Sequence, residues 1–221
     1  MITTKTSHLN AIQWLLAGAG IIVISRRLMG PSARLYEQIA PHTASVSHID
    51  WVTKIGVMAV AILFVVLLWR ARNHNSDSIA AGVAAGCGVL IAFAANEVLK
   101  SLVAERRPCG VVLHLANCPP ATDWSFPSNH TAIAFALAAA ILAVAPRWVW
   151  PALLISVIVA CGRVAEGVHY PHDVVAAAGL GFAIVMAATI WLERPVGLLL
   201  NWLCRFDLFD RLITTRRTGL E

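Results

Sequence analysis

Charged residues are scarce in this chain. Lys, Arg, Asp and Glu make up 13% of its 221 residues, hydrophobic residues make up 58%, and the mean hydropathy is +0.72. A soluble domain has about a quarter of its residues charged, so this composition excludes an ordinary soluble protein and indicates a polytopic membrane protein. The sequence also lacks internal repeats and low-complexity segments, so residues 1–221 are predicted to form a single domain.

A continuous basic stripe is also missing, although the net charge is +5 and the pI is near 9.3. The Lys and Arg residues stand between apolar runs, where membrane anchoring and anion binding explain them better than nucleic-acid binding does. No nucleic-acid partner is expected.

Metal-binding cysteine patterns are absent as well. The five cysteines, at positions 87, 109, 118, 161 and 204, include no CxxC pair and match no zinc or iron–sulfur spacing. Cys109 and Cys118 fall in one predicted loop, where they form either a disulfide, if that loop faces an oxidising compartment, or two free thiols.

Apolar stretches of membrane-spanning length are abundant. Roughly 20 mostly apolar residues cross a hydrocarbon core about 30 Å thick. Six stretches approach this requirement: 9–28, 51–69, 79–100, 129–146, 147–165 and 172–192. They predict an all-α fold, a bundle of six transmembrane helices. The first is either a retained helix or a secretory signal sequence, and the Arg26-Arg27 pair that follows it favours a retained helix.

The connections between these stretches differ in length. Only Ala145–Arg147 separates the fourth and fifth spans, which predicts an antiparallel hairpin, whereas residues 29–50 and 101–128 are long connections. A cytoplasmic tail is predicted at 194–221, with 196–209 as a candidate interfacial helix. Six spans place both termini on one face, and the distribution of Lys and Arg favours the cytoplasm for that face.

Polar residues cluster at three span ends: residues 100–108, 125–130 and 163–173. With six spans, all three clusters fall on the same membrane face and can converge on one pocket. Polar side chains are costly inside a bilayer, so such clusters indicate a functional site.

The three clusters contain what a phosphate site needs. Lys100, Arg107 and Arg163 supply positive hydrogen-bond donors, and Arg offers its planar fork to paired oxygens. Residues 127–130 open a helix, whose free N–H groups and dipole favour an anion. The sequence therefore predicts a phosphate-binding pocket.

Two histidines and a carboxylate complete an acid–base set. One histidine can attack phosphorus, the other can protonate the departing oxygen, and the carboxylate can orient the attacking ring. Asp173 follows His169 by four residues. In the first turn of a helix that begins near Pro171, Asp173 can reach back to the His169 ring.

In order and spacing, these residues resemble the type 2 phosphatidic acid phosphatase superfamily, whose signature is K-x6-RP, then PSGH, then SR-x5-H-x3-D. The matching positions are Lys100, Arg107, Pro108, Pro127, Ser128, His130, Arg163, His169 and Asp173. The likeness extends from span two through span six. Two positions depart from the signature: Asn129 stands where the family has Gly, and Gly162 where it has Ser.

The resemblance implies a role for each matching residue. His169 would be the nucleophile that forms a phosphohistidine, Asp173 would orient it, and His130 would be the general acid. Phosphate oxygens would be bound by Lys100, Arg107, Arg163, Ser128 and the backbone amide of Asn129. The resemblance implies no metal and no other cofactor. Asp123, Glu166 and His172 lie beside the signature positions, and we expect supporting or solvent-facing roles for them.

The runs 125–131 and 167–173 look most like bacterial undecaprenyl pyrophosphate phosphatases of the bacitracin-resistance type. That likeness implies a multi-pass protein of the bacterial plasma (inner) membrane with its active site on the outer face. It would convert undecaprenyl or another polyprenyl diphosphate to the monophosphate, recycling the lipid carrier of peptidoglycan synthesis. Two alternatives stay open: the same chemistry on phosphatidic acid, phosphatidylglycerol phosphate or another prenyl phosphate, and a non-catalytic lipid-phosphate binder or transporter.

Overall fold

The computed structural model describes residues 4–46, 48–72, 76–115 and 118–206. Within these ranges all regular secondary structure is helical, which confirms the all-α prediction. The helices are α1 (Thr4–Arg27), α2 (Met29–Thr43), α3 (Ile49–Ala71), α4 (Ser76–Val103), α5 (Pro108–Val111), α6 (Asn129–Val144), α7 (Val149–Ala165) and α8 (Pro171–Leu203), with a 3₁₀ turn at Pro146–Trp148.

The six predicted spans all coincide with helices. In the described part of the chain, α1, α3, α4, α7 and α8 are long and apolar enough to cross a membrane. The sixth, α6, is apolar but has only 16 residues. Its Ala-rich middle, from Ala136 to Ile141, is buried in the core of the bundle between α4, α7 and α8.

Small residues allow the central helices to approach closely. A Cβ atom on Gly181 of α8 would lie 2.3 Å from the carbonyl oxygen of Ala132 in α6. Lipid tails are as apolar as the helices, so helices associate in a membrane largely through such close packing. Helices α6 and α8 both begin at the same end of the bundle. Their contact therefore brings His130 of the second cluster to the same end as Asp173 of the third cluster.

Residues 29–50 were predicted as a long connection, and most of them form the helix α2. The buried residues of α2 are Ser32, Tyr36 and Ala40, which are spaced four apart on one face. The Tyr36 hydroxyl donates to the carbonyl oxygen of Gly167 (2.7 Å), and Thr43 donates to that of Ala165 (2.8 Å). Helix α2 therefore lies across the turn that carries the third motif.

The last span does not end near residue 192 but continues as α8 to Leu203. At 1.5 Å per residue its 33 residues extend about 50 Å, longer than a hydrocarbon core of about 30 Å. The predicted interfacial helix at 196–209 thus begins as a continuation of α8, and residues 207–221 lie outside the described residues.

Of the two alternatives for Cys109 and Cys118, the structure has the disulfide, with Cα atoms 5.6 Å apart. The bond joins Cys109 in α5 to Cys118 in the connection between α5 and α6.

Candidate active site

A cavity of about 780 Å³ opens at the end of the bundle where α6 and α8 begin. Predicted site residues from all three clusters line it: Arg107, Asn129, His130, Arg163 and His169. The three other predicted residues, Lys100, Ser128 and Asp173, are buried next to this lining. The three sequence clusters therefore meet in one place.

The His169–Asp173 pair has the expected arrangement. Asp173 lies in the first turn of α8, and its Oδ2 is 3.3 Å from Nδ1 of His169. The same oxygen accepts hydrogen bonds from the backbone N–H of Tyr170 (2.8 Å) and the hydroxyl of Ser125 (2.5 Å). Only 1% of His169 and none of Asp173 is exposed. Ser125 was not assigned a role from the sequence, although it opens the second cluster.

The other ring nitrogen of His169 faces Arg107, whose Nη1 lies 3.0 Å from Nε2. A guanidinium can only donate, so Nε2 accepts, and these partners assign the ring hydrogen to Nδ1, toward Asp173. Burial, followed by the charges of Arg163 and Arg107, holds the pKa of His169 well below its usual value. His169 is therefore a neutral imidazole with a lone pair on Nε2, as a nucleophile requires.

The three cations Lys100, Arg107 and Arg163, which we call the phosphate cage, are each paired with a carboxylate. Lys100 Nζ is 2.6 Å from Asp123 Oδ1, and Arg107 Nη2 is 2.9 Å from Asp123 Oδ2. Burial raises the pKa of Asp123, but the hydrogen bonds and charges of Lys100 and Arg107 outweigh burial and hold it below the usual value. Asp123 thus presents two anionic oxygens to two cations of the cage, as a bound phosphate would.

The third cation, Arg163, pairs with Glu166, which also accepts a hydrogen bond from Thr53 of α3 (2.6 Å). Asp123 and Glu166, for which supporting or solvent-facing roles were expected, both contact cations of the site. The Arg163–Glu166 contact joins residues three apart and is local, whereas the partners of Asp123 lie at the end of α4 and before α5, and Thr53 lies in α3.

Both departures from the family signature have a structural counterpart. The Asn129 side chain accepts a hydrogen bond from Asn96 (2.6 Å), which is fully buried in α4. A Cβ atom on Gly162 would lie 2.4 Å from Cγ2 of Thr53, which is also fully buried. Asn129 therefore joins α4 to the start of α6, and Gly162 makes room for α3 against α7.

A second buried network lies behind Asp173. The Nε2 atom of His172 is 3.0 Å from Oε1 of Glu105 and 3.2 Å from Oδ1 of Asp173, and its Nδ1 is 2.9 Å from the Ser32 hydroxyl. The other oxygen of Glu105 pairs with Arg26 at the end of α1. Helices α1 and α2 are thereby connected to the carboxylate that holds His169.

The ligand atoms of Glu105, His172 and Asp173 lie within 4.8 Å of one another, close enough to hold a metal ion. His172 lies within ion-pair distance of both carboxylates and Arg26 pairs with Glu105, although Oδ1 of Asp173 is buried without a hydrogen bond among the described residues. A cation there would compete with Arg26 for Glu105, so the donor set fits a hydrogen-bonded network better than a metal site.

Curated relatives from several organisms match parts of the chain. Undecaprenyl-diphosphatase from Sulfolobus acidocaldarius is 37% identical over 103 residues, 45% of this chain and 50% of that protein. Undecaprenyl-diphosphatase BcrC from Bacillus subtilis is 30% identical over 128 residues, 56% of this chain and 63% of that protein. Decaprenylphosphoryl-5-phosphoribose phosphatase from Mycobacterium tuberculosis is 31% identical over 130 residues, 59% of this chain and 68% of that protein. The chain thus spans half to under two thirds of the first two relatives.

The fold also has a counterpart among solved structures. A transmembrane PAP2 type phosphatidylglycerolphosphate phosphatase from Bacillus subtilis aligns with a TM-score of 0.53, covering 94% of this chain and 98% of that one. At 18% identity, the likeness concerns the fold alone.

The family profile described as the PAP2 superfamily matches residues 81–196, slightly more than half of the chain. The matched segment contains all three motifs that meet at the cavity, which confirms the resemblance found in the sequence. This membrane-helix protein belongs to the PAP2 superfamily.

Proposed function

We propose that this protein is a membrane lipid phosphatase that converts undecaprenyl or another polyprenyl diphosphate to the monophosphate through a phosphohistidine at His169. The observation that carries the proposal is the state of His169: a buried, neutral ring with Nδ1 toward Asp173 and Nε2 at the cavity, beside the phosphate cage.

In the first step, the terminal phosphate of the lipid enters the phosphate cage. It replaces the Asp123 carboxylate between Lys100 and Arg107, since charge-assisted hydrogen bonds to phosphate are strong. Arg107 turns from Nε2 of His169 to the phosphate oxygens, which exposes the lone pair of the nucleophile.

In the second step, Nε2 of His169 attacks phosphorus. The N–P bond forms while the bond from phosphorus to the bridging oxygen breaks, and His130 donates a proton to that oxygen. Asp173 stabilises the positive charge that develops on the imidazole. The cage stabilises the charge that builds up on the equatorial oxygens, which is the largest contribution we expect to the rate.

In the third step, His130 accepts a proton from water as the water attacks the phosphohistidine, which releases inorganic phosphate and restores His169. Lys100, Arg107 and Arg163 supply the positive charge throughout, so we propose that turnover needs no divalent metal.

The substrate and the location are supported by two further observations. Two curated relatives carry the name undecaprenyl-diphosphatase. The disulfide Cys109–Cys118 lies on the cavity side of the protein, and disulfides persist in oxidising compartments. We therefore propose that the site faces the outside of a bacterial plasma membrane, where the enzyme recycles the lipid carrier of peptidoglycan synthesis and contributes to bacitracin resistance.

The test is phosphate release in detergent with EDTA present, from undecaprenyl diphosphate, phosphatidic acid and phosphatidylglycerol phosphate. We expect wild type and His42→Ala, a change at an exposed histidine of α2, to release phosphate from the diphosphate, and His169→Ala to release none. Faster release from another lipid would reassign the substrate. Full activity in His169→Ala would contradict the mechanism, and binding without turnover on every lipid would leave a lipid-phosphate binder or transporter.

A further inference from the structure

The cavity extends beyond the phosphate cage to a cation that the mechanism above does not use. Lys54, in the second turn of α3, lines the cavity together with His48 and Asp50. A volume of about 780 Å³ is larger than one phosphate group requires. The part of the cavity next to Lys54 is therefore available to the rest of a headgroup.

Lys54 and His130 line the same cavity. The ion-pair partner of Lys54 is Asp50 on the same helix. Arg107, in contrast, contacts the nucleophilic nitrogen of His169 directly. In an in-line displacement the leaving oxygen departs away from His169 and toward His130, which lines the same cavity as Lys54.

The position of Lys54 is fixed by its neighbour in sequence. Thr53 is fully buried, donates to Glu166 and packs against Gly162 of α7. One turn later, a Cβ atom on Gly56 would lie 2.6 Å from Cγ2 of Val159. The two glycines let α3 approach α7 closely, and this approach places the first turns of α3 in the cavity wall.

The side chain of Lys54 is available to an anion. Its partner is Asp50, 3.2 Å away and four residues earlier on α3, and about half of each side chain is exposed. Water screens such a surface pair, so its contribution to stability is small. A doubly charged phosphate can replace the Asp50 carboxylate as the partner of Lys54.

We propose that Lys54 binds the second phosphate of a lipid diphosphate, the one that remains on the lipid, and so makes the enzyme prefer diphosphates to monophosphates. When the bond between the terminal phosphorus and the bridging oxygen breaks, that oxygen keeps the electron pair and takes the proton of His130, and the departing phosphate retains negative charge on its other oxygens. Lys54 stabilises this charge. From a monophosphate ester, the leaving group is the lipid alcohol. Its oxygen receives the proton of His130, and it carries no phosphate that Lys54 could bind. This inference rests on the proposed phosphatase function.

The experiment compares two substrates with the same lipid chain, a polyprenyl diphosphate and the corresponding monophosphate. In Lys54→Met we expect kcat/KM to fall about tenfold or more for the diphosphate, as for the loss of one hydrogen bond between charged groups. For the monophosphate we expect a change of less than about twofold. Lys54→Arg should keep the preference, and Asp50→Asn, which removes only the competing carboxylate, should keep or increase it.

An equal loss on both substrates in Lys54→Met, or no loss on either, would overturn the role of Lys54 while the phosphatase function stands. Wild-type protein inactive on both substrates, or His169→Ala as active as wild type, would overturn both proposals. A thermal melt of each variant in detergent shows whether it is folded, and Lys54→Gln serves as the neutral variant if Lys54→Met does not fold.

Discussion

At the residue scale, the site combines buried groups held in fixed positions with a partly exposed carboxylate. Asp173 holds its position through Ser125 and the backbone of Tyr170, and both members of the His169–Asp173 pair are buried. Asp123, in contrast, lies in a loop, and its side chain is 44% exposed. In the proposed mechanism, the nucleophile is therefore held rigidly and a replaceable anion occupies the place of the phosphate.

This arrangement predicts the effect of Asp123→Asn on anion binding. The variant no longer presents a negative charge to Lys100 and Arg107, so orthovanadate and inorganic phosphate should inhibit a few-fold more strongly. The expected gain in binding free energy is about 1 kcal/mol or less, because the Asp123 carboxylate is partly exposed to water. Inhibition constants for both anions measure the effect. Glu193→Gln, at an exposed position of α8, is the control and should leave them unchanged. Weaker inhibition in Asp123→Asn would show that Asp123 helps to hold the anion.

The sequence predicts those site contacts that are local. His169 and Asp173 are four residues apart at the start of a helix, so their contact follows from the spacing. The contact of His172 with Ser32 joins residues 140 positions apart, and that with Glu105 joins residues 67 apart. Such contacts depend on how the helices pack, and the spacing of residues within one motif carries no information about packing.

At the element scale, the fit of α3 against α7 explains why the family's Ser is absent at position 162. Thr53 occupies the space that a side chain there would need, and its hydroxyl also holds Glu166 beside Arg163. The contact of Thr53 with α7 therefore favours Gly at position 162, and through Glu166 it also supports Arg163 of the phosphate cage.

Restoring the family residue should consequently damage this protein. Gly162→Ser places a Cβ atom against Cγ2 of Thr53, and overpacking of this kind costs about 1–3 kcal/mol. Thr53→Ser in the same chain removes that methyl group and keeps the hydroxyl, so the double variant should regain most of the loss. Thermal unfolding in detergent and the rate of phosphate release measure both effects. A single variant as stable and active as wild type would contradict the close fit.

The apolar elements were predictable from the sequence, and α2 was not. The five long apolar helices and the shorter α6 all fall at predicted spans, because a helix in lipid needs a long apolar run, which a single pass along the chain detects. The residues of α2 include Arg34, Glu37 and His42, and only one face of the helix is buried. The partner of that face is the turn after α7, which the local sequence does not indicate.

At the scale of the whole molecule, the cavity and the hairpin between α6 and α7 lie at opposite ends of the bundle. Helix α6 begins beside the cavity and ends at Val144, just before the 3₁₀ turn. If the cavity faces outward, as proposed, the hairpin faces the cytoplasm.

Two exposed positions test this orientation by cysteine labelling. Ala121→Cys lies in the connection before α6, and Arg147→Cys lies in the hairpin. Cys87, Cys161 and Cys204 are replaced by Ser in both variants, and the Cys109–Cys118 disulfide is kept. In intact cells, a membrane-impermeant maleimide should label position 121, whereas position 147 should react only after the membrane is permeabilised. The reverse pattern would place the active site in the cytoplasm.

The disulfide has a further consequence for the biogenesis of the protein. Cys109 follows Arg107 of the phosphate cage by two residues, and the bond to Cys118 restrains the connection that carries Asp123. A molecule inserted into the membrane upside down would keep both thiols reduced in the cytoplasm and would leave this connection unrestrained. If the cavity faces outward and the protein is the proposed phosphatase, the cross-link makes full assembly of the site conditional on correct insertion, and an inverted copy would hydrolyse little lipid on the wrong side of the membrane.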